Sequence, residues 1–436
     1  QAALQSDGGI WFGWDGKLSP VPRSPTFSKA AGAGYSLATI PLTPKEYHGY
    51  YEQHANRALW PLLHSRIDLA AFDYESHLLY RQVNRRFAAS LEPLLGDDDI
   101  IWIHDYHLIP LAAELRRRGV MAPIGFFLHA PFPSADILAA LPWRDALVDD
   151  LSAYDLVGLQ TANCLRNFDD FVERQAARSR RAPANRSPTA GHYPVGIDTR
   201  QFAALAAAPA SQRWRQRLHD CMEGQTWVAG AERLDYTKGL AERFYAIEAL
   251  FEQSPELIGK LTLMQVAAPS RQGLSEYRSL QGRLEKLSGR INARFGGLDW
   301  MPIHYLNRTS SQAQLAALFR VSRIGLVTPL RDGMNLVAKE YVAAQDAADP
   351  GVLVLSRFAG AAEELTASLL VNPYDKYEIA RALRHAMDMP LDERRNRWQR
   401  MMGHLQRCDV HRWLQRFLGD LADTHKSLAP TAAAVA

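Results

Sequence analysis

Between residues 99 and 371 the chain repeats one arrangement, a short uninterrupted apolar run followed by a longer stretch with helical periodicity. Ile100–His104, Ile124–His129 and Leu156–Gln160 are three such runs, and an amphipathic helix near Leu108–Arg118 follows the first. Runs without polar alternation predict strands covered on both faces, and intervening helices predict parallel connections. Gly191–Asp198 reads as a strand leaving this series. A second series follows in Trp227–Gly230, Leu261–Val266, Ile303–Tyr305, Ile324–Val327, Val352–Leu355 and Leu369–Val371. The pattern predicts two successive α/β domains with a boundary near residue 200. Open α/β sheets bind ligands beyond the carboxyl ends of their strands, so two of them predict a central cleft lined from both sides.

Composition narrows the functional classes. Lys plus Arg number 50 against 47 Asp plus Glu, a net charge of +3, which argues for no nucleic-acid or anionic-membrane partner. Cys164, Cys221 and Cys408 are far apart and form no CxxC, as expected of a reducing, cytoplasmic setting. No apolar run approaches ~18 residues, so no membrane span is expected. Gln1–Asp7 carries no basic and apolar leader, and no secretory signal is expected. Arg174, Arg178, Arg180, Arg181 and Arg186 lie among Ala, Pro, Ser and Asn without periodicity, which favours a solvated loop over a nucleic-acid contact. Trp413, Leu414, Phe417 and Leu418 have core-like spacing and are expected to pack within the chain.

Strand ends carry the chemistry. After Ile324–Val327 comes Thr328-Pro329-Leu330-Arg331-Asp332-Gly333, with a helix opening near Met334. The first amides of a helix lack intrahelical partners and carry the positive end of its dipole, a site suited to phosphate. Glu340 lies one turn after Leu336 and could accept hydrogen bonds from sugar or ribose hydroxyls; the alternative is a helix merely capped by Asp332. Arg233 and Lys238 stand five residues apart in another strand–helix turn, a fork and a point charge suited to a diphosphate, with Asp235 between them to hold either. His104-Asp105-Tyr106-His107 and His129 end two strands. Their spacing admits a zinc reading, but without HExxH or a nearby cysteine, sugar-hydroxyl recognition or plain structure is favoured. Asp97-Asp98-Asp99 precedes a strand, so a solvated turn is favoured over a metal motif. Gly32-Ala33-Gly34 lacks a preceding strand and is not read as a dinucleotide loop. Trp11, Trp14, Tyr51 and Trp60 are core residues or a wall for a sugar face.

Taken in order, these runs resemble the trehalose-6-phosphate synthase family of retaining GT-B glycosyltransferases. Gly8–Trp14, Leu59-Trp60-Pro61, Trp102–Leu108, Gly125–His129, Arg233–Gly239, Gly289–Asn292, Leu330–Glu340, Gln345-Asp346, Phe358–Ala362 and Asn372–Asp375 carry the resemblance, which covers about residues 8–425. It implies two Rossmann-like doubly wound domains facing a central cleft: an acceptor-binding domain at 1–200, a nucleotide-sugar-binding domain at 201–410, and a helix and tail at 411–436 packing back on the first.

The implied reaction transfers glucose from a nucleoside diphosphate glucose, such as UDP-glucose, to glucose 6-phosphate. No metal, cofactor or enzymic nucleophile is implied, because the leaving phosphate takes the acceptor's proton on the same face. By resemblance Asp105, His129, Arg233 and Lys238 are catalytic. The donor is held by Arg233, Lys238, Asp332, Met334, Asn335, Leu336, Val337, Glu340 and His129, and the acceptor by Trp14, Tyr51, Trp60, Asp105 and Arg290. Partners are small-molecule substrates, and a homo-oligomer stays open, as does the donor base. The family places a strand and a Gly-rich loop ahead of Gly8–Trp14, where only Gln1–Asp7 stand here. That segment is either absent or unnumbered. Alternatives are a same-fold synthase with another acceptor (a glucosylglycerol-phosphate synthase or a cyclitol-joining pseudo-glycosyltransferase) and a silent sugar-nucleotide-binding subunit, which would be expected to lack Arg233, Lys238 or Glu340.

Overall fold

The computed structural model describes residues 8–29, 34–178, 189–221 and 224–428. Gln1–Asp7, Gly32-Ala33, most of the arginine-rich stretch after Arg178 and the Ala-rich tail lie outside the described residues. By its internal contacts the chain forms two compact units, one made of 1–195 with 410–436 and the other of 196–409.

In the second unit the six apolar runs become β8 (Thr226–Arg233), β9 (Leu261–Ala268), β10 (Ile303–Leu306), β11 (Ile324–Val327), β12 (Val352–Ser356) and β13 (Leu369–Val371). Every pairing among them is parallel, in the order β10-β9-β8-β11-β12-β13. Taken by appearance this is 3-2-1-4-5-6, the doubly wound order, and its switch point falls between β8 and β11. Burial explains the strands' composition: β11 and β12 have no exposed residue. Phe244, Ile247 and Leu250 of the helix Leu240–Gln253 join Leu261, Leu263, Ile324 and Val354 in one core.

The first unit holds two sheets. β4 (Ile101–His104), β5 (Ile124–Phe127), β6 (Leu156–Leu159) and β7 (Ala190–His192) are parallel in sequence order. Gly191–Asp198 therefore contributes only two residues, Gly191 and His192, to a strand. The helix Val410–Leu428 lies against this sheet. Phe417 stacks on Trp102 at 4.6 Å between centroids, and a Cβ added to Gly125 or Gly158 would come within 2.7 Å of its ring. Tyr193 donates to Asp420 at 2.8 Å.

β1 (Ile10–Leu18), β2 (Thr26–Lys29) and β3 (Ser36–Leu42) form the other sheet, β3 pairing parallel with β1 and antiparallel with β2. A strand thus does precede Gly32, contrary to the sequence reading, but β2 is exposed throughout and shows no apolar pattern.

Thr43 opens the next helix with a capping box to Glu46, and Tyr47–Leu59 then winds as a π-helix, Trp60 N–H reaching back five residues to Ala55. Asp99 accepts from Gly96 N–H at 2.7 Å, so the acidic run is a turn. Arg174 is not in a loop: it continues the helix Ala162–Arg178 and pairs with Asp170 and Asp136.

Candidate active site

β8 and β11 diverge at the switch point, and the turns that follow them meet there. The turn after β8 closes as a single 3₁₀ turn, Tyr236–Lys238, ending at Gly239 with φ +65°. A Cβ at Gly239 would lie 2.2 Å from Thr328 O, so the turn after β11 requires glycine there. Leu330 N–H donates to Thr237 O at 2.8 Å, joining the two turns. The Phe358–Ala362 run braces the second of them. Asp332 N–H donates to Phe358 O, and Gly360 and Ala361 N–H donate back to Asp332 O and Met334 O.

The helix after β11 begins at Leu336, two residues later than expected. Its cap is Asn335, not Asp332: Asn335 sits at φ +75° and accepts from Ala338 N–H at 3.3 Å. Its side-chain amide donates to Asp332 Oδ2 at 3.0 Å and to Glu232 Oε1 at 3.1 Å. Asp332 Oδ2 also accepts from Lys238 Nζ at 2.5 Å. Burial draws the Lys238 ammonium's pKa down, but Asp332 and Glu232 more than offset this and the net displacement is upward. Glu340 stands one turn along the helix. Burial, and then the Glu232 charge, push its carboxyl from 4.5 up to about 7. Arg233 ends β8 and is exposed. Arg233, Lys238, Asp332, Met334, Asn335, Leu336, Val337 and Glu340 are thus assembled at the carboxyl edge of one sheet.

Arg290 is not among them. It lies in the helix Ser275–Phe295, roughly 22 Å along the axis from Ser275 at about 1.5 Å per residue. Two residues on, Asn292 bonds Ile303 at the amino-terminal start of β10, the opposite edge of the sheet. Both Arg290 Nη atoms engage Glu248, at 2.6 and 2.7 Å. Gly289–Asn292 therefore packs two helices rather than forming an acceptor contact.

Besides Arg233, Arg271 reaches the carboxyl edge, three residues beyond β9 with φ +47°. It donates to Asp235 at 3.3 Å and to Tyr277 at 2.6 Å, and Asp235 in turn accepts from Thr237 N–H. Asp235 thus ties Arg271 to the β8 turn, while Lys238 goes to Asp332. An arginine just past a strand's carboxyl end is a readable signal that the sequence analysis passed over.

In the first unit, Asp105 follows β4 at φ +71°, a conformation costing a non-glycine residue about 1–3 kcal/mol. Its N–H donates to Phe127 O, and its Oδ1 accepts from His129 N–H at 3.3 Å, so Asp105 and His129 are held at neighbouring strand ends. His129 Nε2 meets His104 Nδ1 at 3.1 Å. Burial, then the facing imidazole, lowers His104 to about 3, and burial lowers His129 as well, so both rings are neutral at pH 7.

Tyr51 packs 5.4 Å from Trp14 and stacks on His107 at 5.6 Å. Trp60 lies 5.6 Å from Tyr106, which touches His107 at 4.1 Å. Trp14, Tyr51 and Trp60 therefore join one aromatic group beside Asp105. Trp14 Nε1 donates to Lys17 O at 2.8 Å, so that indole offers its face. Among the described residues no three His, Cys, Asp or Glu side chains are placed to hold a metal ion.

Comparison with known proteins agrees with this geometry. The sequence model of glycosyltransferase family 20 matches residues 1–423. The trehalose-6-phosphate synthase of Sinorhizobium fredii is 44% identical over 425 residues, 96% of this chain and 92% of that protein. The crystal structure of a UDP-forming alpha,alpha-trehalose-phosphate synthase from Burkholderia xenovorans, in complex with glucose 6-phosphate, superposes with TM-score 0.92 at 44% identity, covering 96% of this chain and 93% of that one. The Escherichia coli enzyme bound with UDP-2-fluoro glucose gives 0.91 at 44% identity, with 96% and 94% covered. With its GT-B fold and this identity along nearly its whole length, the chain belongs to glycosyltransferase family 20.

Proposed function

We propose that this chain transfers glucose from UDP-glucose to the anomeric hydroxyl of glucose 6-phosphate with retention, giving trehalose 6-phosphate and UDP. The observation that carries the reading is the switch-point site, where Arg233, Lys238 and the start of a helix stand at the carboxyl edge of one sheet. Relatives that are UDP-forming, or that bind glucose 6-phosphate or a UDP-glucose analogue, supply the substrates.

In this reading Arg233 and Lys238 take the diphosphate, with the amides around Met334, Asn335, Leu336 and Val337. Glu340 as a carboxylate accepts from the ribose hydroxyls. His129 faces the donor glucose and Asp105 the acceptor sugar, whose ring packs on Trp14, Tyr51 and Trp60. Arg271 replaces Arg290 as the further cation of the site. As the C1–O bond to the β-phosphate breaks, its electron pair passes to the phosphate. The acceptor's O1 bonds to C1 from the same face, and its proton goes to the departing phosphate oxygen. Arg233, Lys238 and the helix amides stabilise the charge that develops there, so the chain's own groups suffice and no resident metal or cofactor is invoked. Free cysteines at 164, 221 and 408, with no described helix long and apolar enough to cross a membrane, fit a cytoplasmic setting.

The test is product formation from UDP-glucose and glucose 6-phosphate in EDTA, for wild type and Arg233→Ala. Trehalose 6-phosphate from wild type, with a loss of roughly a hundredfold or more in the variant, is the expected result. UDP-glucose binding without product from glucose 6-phosphate would overturn the acceptor in favour of another.

A further inference from the structure

Beneath the donor site lies a pair of buried charges to which the mechanism assigns no role. Glu232 is the penultimate residue of β8, and its side chain is 3% exposed. Its Oε1 accepts from Arg243 Nη2 and from Asn335 Nδ2, both at 3.1 Å. Arg243, on the helix Leu240–Gln253, is wholly buried. Besides Glu232 it donates to Thr328 Oγ1 at 3.0 Å, Gln265 Oε1 at 3.2 Å and the carbonyl of Lys238 at 3.3 Å. One guanidinium therefore joins β8, β9, the end of β11 and the turn after β8. Gly230 leaves room for it, since a Cβ there would fall 2.3 Å from Gln265 Oε1 and 3.1 Å from Arg243 Nη1.

The bonds lead outward to the groups that face the diphosphate. Asn335 holds a left-handed backbone that needs bracing, and its amide is shared between Glu232 and Asp332. Asp332 holds the Lys238 ammonium, while Arg243 holds the Lys238 carbonyl. Both ends of Lys238 and the helix cap thus trace back to one ion pair that is too deep to touch a substrate.

We propose that Glu232 and Arg243 are positioning residues of the donor site, setting the Asn335 cap and Lys238 in register for the diphosphate. The inference rests on the donor reading above. Its consequence is selective: losing the pair weakens the donor side and leaves the acceptor side alone.

The experiment compares Glu232→Ala, Glu232→Gln and Asn335→Gly with wild type, reading UDP affinity by calorimetry and KM for each substrate. Glu232→Ala is expected to weaken UDP roughly tenfold or more, the effect of stranding buried partners, with a matching rise in KM for UDP-glucose and KM for glucose 6-phosphate unchanged. Glu232→Gln keeps an oxygen facing Arg243 and Asn335 and falls between wild type and Glu232→Ala. Asn335→Gly keeps the positive φ but loses both amide donations and the cap of Ala338 N–H. It gives the same donor-side loss and decides the matter if Glu232→Ala does not fold. Unchanged UDP affinity, or equal losses for both substrates, would overturn the proposal. Wild-type protein that binds UDP but makes no trehalose 6-phosphate would defeat the reaction assigned above, while the UDP affinities would still decide the positioning role.

Discussion

The two units solve the placement of polar groups in opposite ways. At the carboxyl edge of the second unit's sheet, charges are already paired: Lys238 with Asp332, Arg243 with Glu232, Arg271 with Asp235. Beside β4 and β5 in the first unit the polar groups are neutral rings, His104 and His129 with lowered pKa values and the aromatic set around Tyr51. Both regions still hold polar residues at positive φ beyond their strands, Asn335 and Arg271 in the second and Asp105 in the first. A site of paired charges suits a ligand that brings charge, because a diphosphate can take over a cation from its resting carboxylate. A site of rings and one carboxylate suits a ligand that brings hydroxyls and an apolar face.

If that contrast is right, removing charge costs most in the second unit. Lys238→Ala takes away a donor cation and leaves Asp332 without its ammonium. We expect turnover of UDP-glucose and glucose 6-phosphate to fall roughly a hundredfold or more. A fall below threefold in steady-state assays would mean that the preassembled charge is not what the donor uses. Tyr51→Ala removes a ring and no charge. It should raise KM for glucose 6-phosphate about tenfold while leaving KM for UDP-glucose within twofold. Equal changes in both constants would erase the division of labour between the two regions.

The same contrast explains how much could be read from the chain. β4–β6 and β8–β13 were legible because strands buried on both faces leave uninterrupted apolar runs, as in Val352–Ser356. β1 and β2 were not, because exposed strands leave no such mark: Trp11 is 47% exposed and Phe27 59%. Arg233, Lys238 and Glu340 stood out because charge beside a strand end is conspicuous. Glu232 did not, since a lone acid closing an apolar run shows nothing of the buried arginine eleven residues later. The rings gather around Tyr51 on a π-wound helix, whose five-residue reach no 3.6-residue periodicity reveals. Arg290 was misplaced because resemblance supplied a motif without its depth along a helix, whereas Arg271, the nearer cation, sits in no recognisable run.

Glu340 offers a smaller and graded effect. Its carboxyl titrates at about 7 rather than 4.5, so protonation is favoured in the folded, ligand-free chain. Its contribution to stability is present below about pH 4.5 and is lost as pH rises through about 7. Donor binding runs the other way, since the carboxylate is the form that accepts two ribose hydroxyls. UDP affinity measured between pH 6 and 8 should therefore rise with pH by a few-fold, and Glu340→Gln should flatten that rise. A Glu340→Gln profile parallel to wild type would assign the pH dependence to another group.

The smallest effect is expected where resemblance and geometry disagree. Arg290 belongs to a network in which two exposed arginines, Arg290 and Arg294, share the buried Glu248, and Arg294 also reaches Glu252. A pair whose cation sits in solvent contributes little, and here Arg294 stays behind to hold Glu248. Arg290→Ala should leave KM for glucose 6-phosphate unchanged, whereas Arg271→Ala, which removes the cation at the carboxyl edge, should raise it. The pair of variants separates position from motif: a rise with Arg290→Ala alone would restore the motif assignment. A rise with Arg271→Ala alone fixes the acceptor's cation beyond β9, on the same edge as Lys238.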